Sequence, residues 1–275
     1  MRLGINFTPP HETPEEWAEI LTANGFRATA FPVNYTAKDS LIDAYVREAK
    51  AHDILIAEVG AWSNPNSTDP EEAARARELN LEQLKLADYV GANCCVNISG
   101  AVGPRWDFCY EGNYTAELYK RNVEFAQFLI DAVKPQHTAY SLEPMQWMAP
   151  RSVSEYAGLL ADVDRPQFKV HMDIFNLVNS PDKYIFHKKL IDEAFLILGE
   201  EIASCHLKNI AMQPAGTVMI REVPVEEGYV DIGYYLGKIR SLGRDMPVLI
   251  EHREHFEDYV KSAKWVLENF GELFR

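Results

Sequence analysis

Apolar and polar positions along the chain fall into a repeating order: a short, β-rich apolar run, a polar loop, then a stretch with helical spacing. The runs cover 2–7, 26–33, 54–60, 93–99, 137–143, 168–174, 202–208 and 247–252, which makes eight candidate strands. Helical spacing covers 14–25, where Thr13 caps and Pro14 opens the first turn, and 69–91, from an Asp69 cap to Gly91. Further helices fit 114–134, 152–162, 182–199, 231–242 and 255–270. The stretch 209–230 carries Gln213, Pro214, Gly216 and Gly228 and reads as an irregular loop over one end of the fold. Loops of that length are more often functional than decorative.

Eight units in 275 residues give about 34 residues each, the size of a βα repeat, so the expected α/β fold is a (β/α)8 TIM barrel. A doubly wound open sheet is the alternative, but the first βα turn, Thr8-Pro9-Pro10-His11, lacks the G-x-G-x-x-G fingerprint. No linker or composition shift splits the chain, so 1–275 reads as a single domain. With 47% hydrophobic and 25% charged residues the chain is neither disordered nor low-complexity, and it is long enough to bury a core without disulfides or a structural metal. Its 27 Lys and Arg against 41 Asp and Glu give a net charge of −14, which argues against nucleic acid as a partner. Cys94, Cys95, Cys109 and Cys205 follow no C-x-x-C spacing and read as buried thiols. No apolar run approaches the ~20 residues of a membrane span, and residues 1–16 lack a signal-peptide core, so the expectation is a soluble, cytoplasmic protein without a membrane partner.

In a barrel of this kind the active site lies at the C-terminal ends of the strands. Glu143, Asp173, His206 and Glu251 stand at or near the ends of runs five, six, seven and eight. Four such groups left unpaired at the mouth of an apolar barrel would cost several kcal/mol each, because buried charges must be paired or bind a metal. Individually each acid could pair with a nearby base, Glu143 with Lys208 or Glu251 with Arg253. Together, three carboxylates and one imidazole at homologous strand ends favour a divalent cation. Oxygen-rich ligation with one nitrogen suits Mn²⁺ or Mg²⁺, with Co²⁺, Fe²⁺ and Zn²⁺ as further candidates.

These residues stand in the motifs S-L-E-P (141–144), H-M-D-I-F-N (171–176), C-H-L-K-N (205–209), V-P-V-E-E-G-Y-V-D (223–231) and L-I-E-H (249–252). The chain thereby resembles the xylose isomerase-like TIM-barrel superfamily, in particular its sugar isomerase and epimerase branch. The resemblance implies one divalent ion, commonly Mn²⁺, on Glu143, Asp173, His206 and Glu251, with Glu143 and Glu251 also acting as acid/base catalysts. It implies a sugar or sugar derivative as the small-molecule partner, and admits a homodimer, a homotetramer or a small partner subunit. Two bases flanking the substrate suit proton removal from one face of a carbon beside a carbonyl and return to the other. The metal, acting as a Lewis acid, would stabilise the enediolate.

Around this set, Lys208 shares a strand face with His206 and could support an oxyanion, and His171 shares one with Asp173. Asn6 stands at the end of run one and Trp62 follows run three, where they could bond a hydroxyl and stack on a sugar; Asn176 and Arg253 complete the substrate-binding candidates. Ketose 3-epimerases resemble D-x-x-H after the Asp ligand and H-x-K-D after the His, whereas this chain has Asn176 and Asn209 at those places. The D-x-x-N form is closer to relatives of the catalytic subunits of C-glycoside deglycosidases, which implies a metal-dependent lyase on a 3-oxo glycoside as the alternative activity. An endonuclease IV-like phosphodiesterase is a third reading, disfavoured by the acidic charge.

Overall fold

The computed structural model describes residues 1–274. Eight parallel strands close into a barrel: β1 (Arg2–Ile5), β2 (Ala28–Ala30), β3 (Leu55–Gly60), β4 (Cys94–Asn97), β5 (Ala139–Leu142), β6 (Phe168–Met172), β7 (Ile202–Leu207) and β10 (Pro247–Ile250). They neighbour one another in chain order, and β1 closes the circle by pairing with both β2 and β10. Each of these eight barrel strands lies inside one of the eight expected runs. The helices α1 (Pro14–Ala23), α3 (Pro70–Val90), α4 (Ala116–Val133), α5 (Val153–Val163), α8 (Ile232–Ser241) and α9 (Phe256–Phe270) also fall where the spacing put them. Among the described residues, no helix is long and apolar enough to cross a membrane.

Four local readings change. Helix α2 (Asp39–Ala51) fills the second βα unit, which the sequence reading leaves unassigned; Lys38 at its N-cap makes no side-chain bond, so the usual start signal is missing although Ile42, Tyr45 and Ala49 form a buried stripe. The expected helix 182–199 is broken at Phe186 into α6 (Pro181–Ile185) and α7 (His187–Leu198). The supposed irregular loop instead contains an antiparallel hairpin, β8 (Asn209–Met212) with β9 (Ile220–Val223), which continues β7 beyond the barrel rim after the single residue Lys208. Cys109 is exposed, because it lies in the long loop after β4, while Cys94, Cys95 and Cys205 are buried in barrel strands.

Two buried tyrosines from the helical layer fix the strands that matter for function. The Tyr156 hydroxyl on α5 donates to the Leu142 carbonyl (2.5 Å) and accepts from the His171 amide (2.9 Å), locking β5 against β6. Tyr235 on α8 reaches the carbonyls of Met172 and His206, both at 3.3 Å, and so ties β6 to β7. The two hydroxyls give carbonyls and an amide at these strand ends a buried partner from the helical layer, which holds the rim in a defined geometry.

Candidate metal centre

Glu143, Asp173 and Glu251 each lie one residue past a barrel strand, after β5, β6 and β10, and His206 lies inside β7. All four are buried at the C-terminal end of the barrel, and one potential ligand atom from each falls within 4.8 Å of the others. His206 Nδ1 is the focus, 3.0 Å from Glu143 Oε1 and 2.8 Å from Glu251 Oε2. Asp173 Oδ1 accepts from the backbone amides of Phe175 (2.9 Å) and Asn176 (3.1 Å), which fixes the carboxylate in the tight turn after β6.

Lys208 is buried in the same cluster. Its Nζ lies 2.5 Å from Glu251 Oε1, 2.6 Å from Asp173 Oδ2 and 3.6 Å from Glu222. It therefore pairs with Asp173 and Glu251, not with Glu143 as the simple pairing scheme had it. Burial pushes the Asp173 carboxyl up to about 8, aided by Glu251 and Glu143 and against the nearby Lys208. Burial also opposes a charge on His206, yet Glu251, Glu58 and Glu143 hold the imidazole well above its ordinary range. The chain thus supplies fewer cationic groups than its enclosed carboxylates call for. A divalent cation fits that deficit and this hard, oxygen-rich donor set.

On the far side of the imidazole, His206 Nε2 lies 3.3 Å from Glu58 Oε1 and 3.3 Å from the Asn6 amide nitrogen. His171 sits beside the His206 ring, edge-on at 4.1 Å between centroids, with Nδ1 2.6 Å from the Ser204 hydroxyl and 3.5 Å from Glu58. Burial, then the charge of His206, lowers its pKa to about 4. A histidine held neutral there suits packing against a charged neighbour. Glu58, His171 and His206 form a second cluster with potential ligand atoms within 4.8 Å, sharing His206 with the first.

A cavity of about 570 Å³ opens above the carboxylates and is lined by Asn6, Trp62, Glu143, Asn176 and Glu251 among the expected residues. The Asn176 amide nitrogen is 3.4 Å from Glu143 Oε1. Lys208 lines the adjoining smaller recess, whereas His171 and Arg253 line neither. Arg253 makes no ion pair with Glu251 among the described residues; its backbone amide bonds the Tyr259 hydroxyl instead. Sequence reasoning missed Glu58, although an acid inside the apolar run ILIAEVG carried the same signal as the other three. It also missed Glu222, which reaches the site only because β9 folds back over the rim, and His252, which directly follows Glu251. His252 takes a left-handed backbone (φ 54°), which brings its Nδ1 to 2.9 Å from Glu222 and its Nε2 to 3.4 Å from Glu251.

Comparison with known proteins agrees with this architecture. The chain superposes with a TM-score of 0.74 on a probable 3-DHS dehydratase involved in petrobactin synthesis from Bacillus anthracis, at 17% identity over 98% of this chain and 100% of that one. It matches D-psicose 3-epimerase with D-tagatose from Clostridium cellulolyticum H10 with a TM-score of 0.71, at 15% identity over the whole of both chains. A magnesium complex of a xylose isomerase-like TIM barrel protein from Mycobacterium smegmatis matches at 0.68, with 17% identity over 95% of this chain and 89% of that one. No curated protein matches by sequence. Residues 13–269 match the family model of the xylose isomerase-like TIM barrel, and the chain belongs to that family.

Proposed function

We propose that the protein is a divalent-metal-dependent sugar isomerase or epimerase that removes a proton from the carbon beside a carbonyl. The observation that carries the reading is the convergence of Glu143 and Glu251, from strands three places apart around the barrel, on one imidazole nitrogen at 3.0 and 2.8 Å, with both side chains also lining the cavity. Glu143, Asp173, His206 and Glu251 would hold the ion, with Mn²⁺ favoured by the donor set. A bound cation would polarise the substrate carbonyl and make the neighbouring C–H acidic. One glutamate takes that proton and the other returns one to the opposite face. Burial opposes a charge on Glu251, but His206 and Lys208 hold its carboxyl well below the usual range, and Glu143 is lowered too, so both stand ionised and able to accept a proton. Asn6 and Asn176 offer amide groups to substrate hydroxyls. A sugar epimerase among the similar structures supports the reaction class.

Elimination of a leaving group from the same deprotonated carbon is the second reading. It is favoured by Asn176, an amide against Glu143 where the ketose 3-epimerase pattern has histidine. The test is proton NMR in D₂O with a panel of ketoses and 3-oxo glycosides. Mn²⁺-loaded protein is expected to wash solvent deuterium into the carbon beside the carbonyl, and EDTA to stop it. Undiminished exchange in the chelated sample would overturn the proposal, and release of an aglycone in place of a mass-neutral epimer would select elimination.

A further inference from the structure

The cavity above the carboxylates is chemically two-sided. Asn6, Glu143, Asn176, Glu222, Glu251 and His252 form the polar side. The other side is Trp62, Ile98, Trp106, Met145 and Trp147, interrupted by Asp107 and Gln146 and contributed by β4's C-terminal end and the loops after β3, β4 and β5. This aromatic wall is held in place. Trp106, Met145 and Trp147 pack on the buried cluster of Ile98, Ala101 and Met148. The Trp147 indole N–H donates to the Asp107 carbonyl at 3.0 Å, and the Trp147 carbonyl accepts from Asn113 at 3.2 Å. Trp62 folds back over Gly60 so closely that a Cβ at 60 would stand 2.3 Å from its indole nitrogen.

A free ketose has hydroxyls on nearly every carbon. One tryptophan face can take its C–H surface, but hydroxyls pressed against three indoles, a methionine and an isoleucine lose water without gaining partners. At about 570 Å³ the space falls among pockets that enclose ligands larger than one monosaccharide. Gln146 stands between Met145 and Trp147 in this wall, and its Nε2 donates to Asn176 Oδ1 (3.3 Å), which ties the wall to the polar side.

We propose that the substrate is a sugar carbonyl compound carrying an aromatic substituent, with the sugar at Glu143 and Glu251 and the aromatic ring on Trp106 and Trp147. This assignment of substrate class rests on the function proposed above for the location of the sugar, whereas the aromatic subsite stands on the wall itself. The test is calorimetric titration of Mn²⁺-loaded protein with phenyl β-D-glucoside, methyl β-D-glucoside and D-glucose, none of which needs to turn over. Phenyl glucoside is expected to bind about tenfold tighter or more than the methyl compound. Trp147→Ala and Trp106→Ala should each shrink that ratio while circular dichroism melting stays cooperative. Equal affinity for the phenyl and methyl glucosides in the unmodified protein overturns the inference, whatever the variants do. Deuterium exchange on free ketoses without aryl preference would sink the inference and leave the proposed function standing. Aryl preference without metal-dependent exchange on any sugar would do the reverse.

Discussion

Replacing Glu58 by Gln separates holding the metal from holding the fold. Glu58 is 1% exposed, and Oε1 lies 3.3 Å from His206 Nε2 while Oε2 lies 3.5 Å from His171 Nδ1 without a hydrogen bond. With Nε2–H donated to Glu58, His206 presents the Nδ1 lone pair to a cation shared with Glu143 and Glu251. Carboxylates that orient a ligating histidine in this way are worth about 10–100-fold in metal affinity, or roughly 1.4–2.7 kcal/mol. The glutamine amide can still accept from His206 but carries no charge to raise the ring's basicity, so a loss of about tenfold in Mn²⁺ affinity is expected. The metal-free protein should lose no more than about 1–3 kcal/mol, because the glutamine oxygen still accepts from His206, and Glu143 and Glu251 remain beside the other ring nitrogen to offset its charge. Calorimetric Mn²⁺ titration reads the first effect and urea denaturation of chelated protein the second. Glu58→Asp, which keeps the charge but shortens the reach, should also weaken Mn²⁺ binding. Affinity within twofold of wild type would refute the positioning role. A fall of more than about 3 kcal/mol in metal-free stability would show that Glu58 chiefly stabilises the fold.

Lys208→Met leaves Asp173 and Glu251 without their shared ammonium at 2.6 and 2.5 Å; the metal-free protein should lose about 3–5 kcal/mol by urea denaturation, a loss that excess Mn²⁺ should partly reverse. Mn²⁺ at 100 times its Kd should stabilise the wild-type chain by about 2.7 kcal/mol, seen as a rise in Tm by scanning calorimetry, and EDTA should abolish that rise. Tyr156→Phe removes the hydroxyl that joins the Leu142 carbonyl to the His171 amide; a cost of about 1–3 kcal/mol is expected, and an unchanged denaturation midpoint would show that this bond between β5 and β6 contributes nothing.

The barrel was legible in the sequence because its strands are buried on both faces and read as continuous apolar runs, each followed by a polar break. Glu143, Asp173 and Glu251 stood out as acids at the ends of such runs, and a strand-end acid has few alternatives to a partner or a metal. Glu58 carries the same signal inside β3 but sits mid-run, where the rule about strand ends does not look. The hairpin β8–β9 was hidden for a different reason: Asn209–Met212 and Ile220–Val223 are short, and their pairing depends on the chain turning back across Gln213–Met219. Glu222 therefore approaches Lys208 and His252 from 14 and 30 residues away, a relation set by register and absent from any local pattern. The aromatic wall is likewise a product of three loops meeting, and only Trp62 followed a run closely enough to be noticed. Helix α2 failed for a missing cap, since its buried stripe at Ile42, Tyr45 and Ala49 is ordinary helical spacing.

Calorimetric titration of chelated protein with Mn²⁺, run on wild type and on Glu143→Gln, Asp173→Asn, His206→Gln and Glu251→Gln in parallel, tests the four-ligand centre most directly. One ion per chain is expected, with each variant weakened about tenfold or more while retaining a cooperative melt. Absence of Mn²⁺ binding to the wild-type chain, or binding that all four substitutions leave unchanged, would contradict the account.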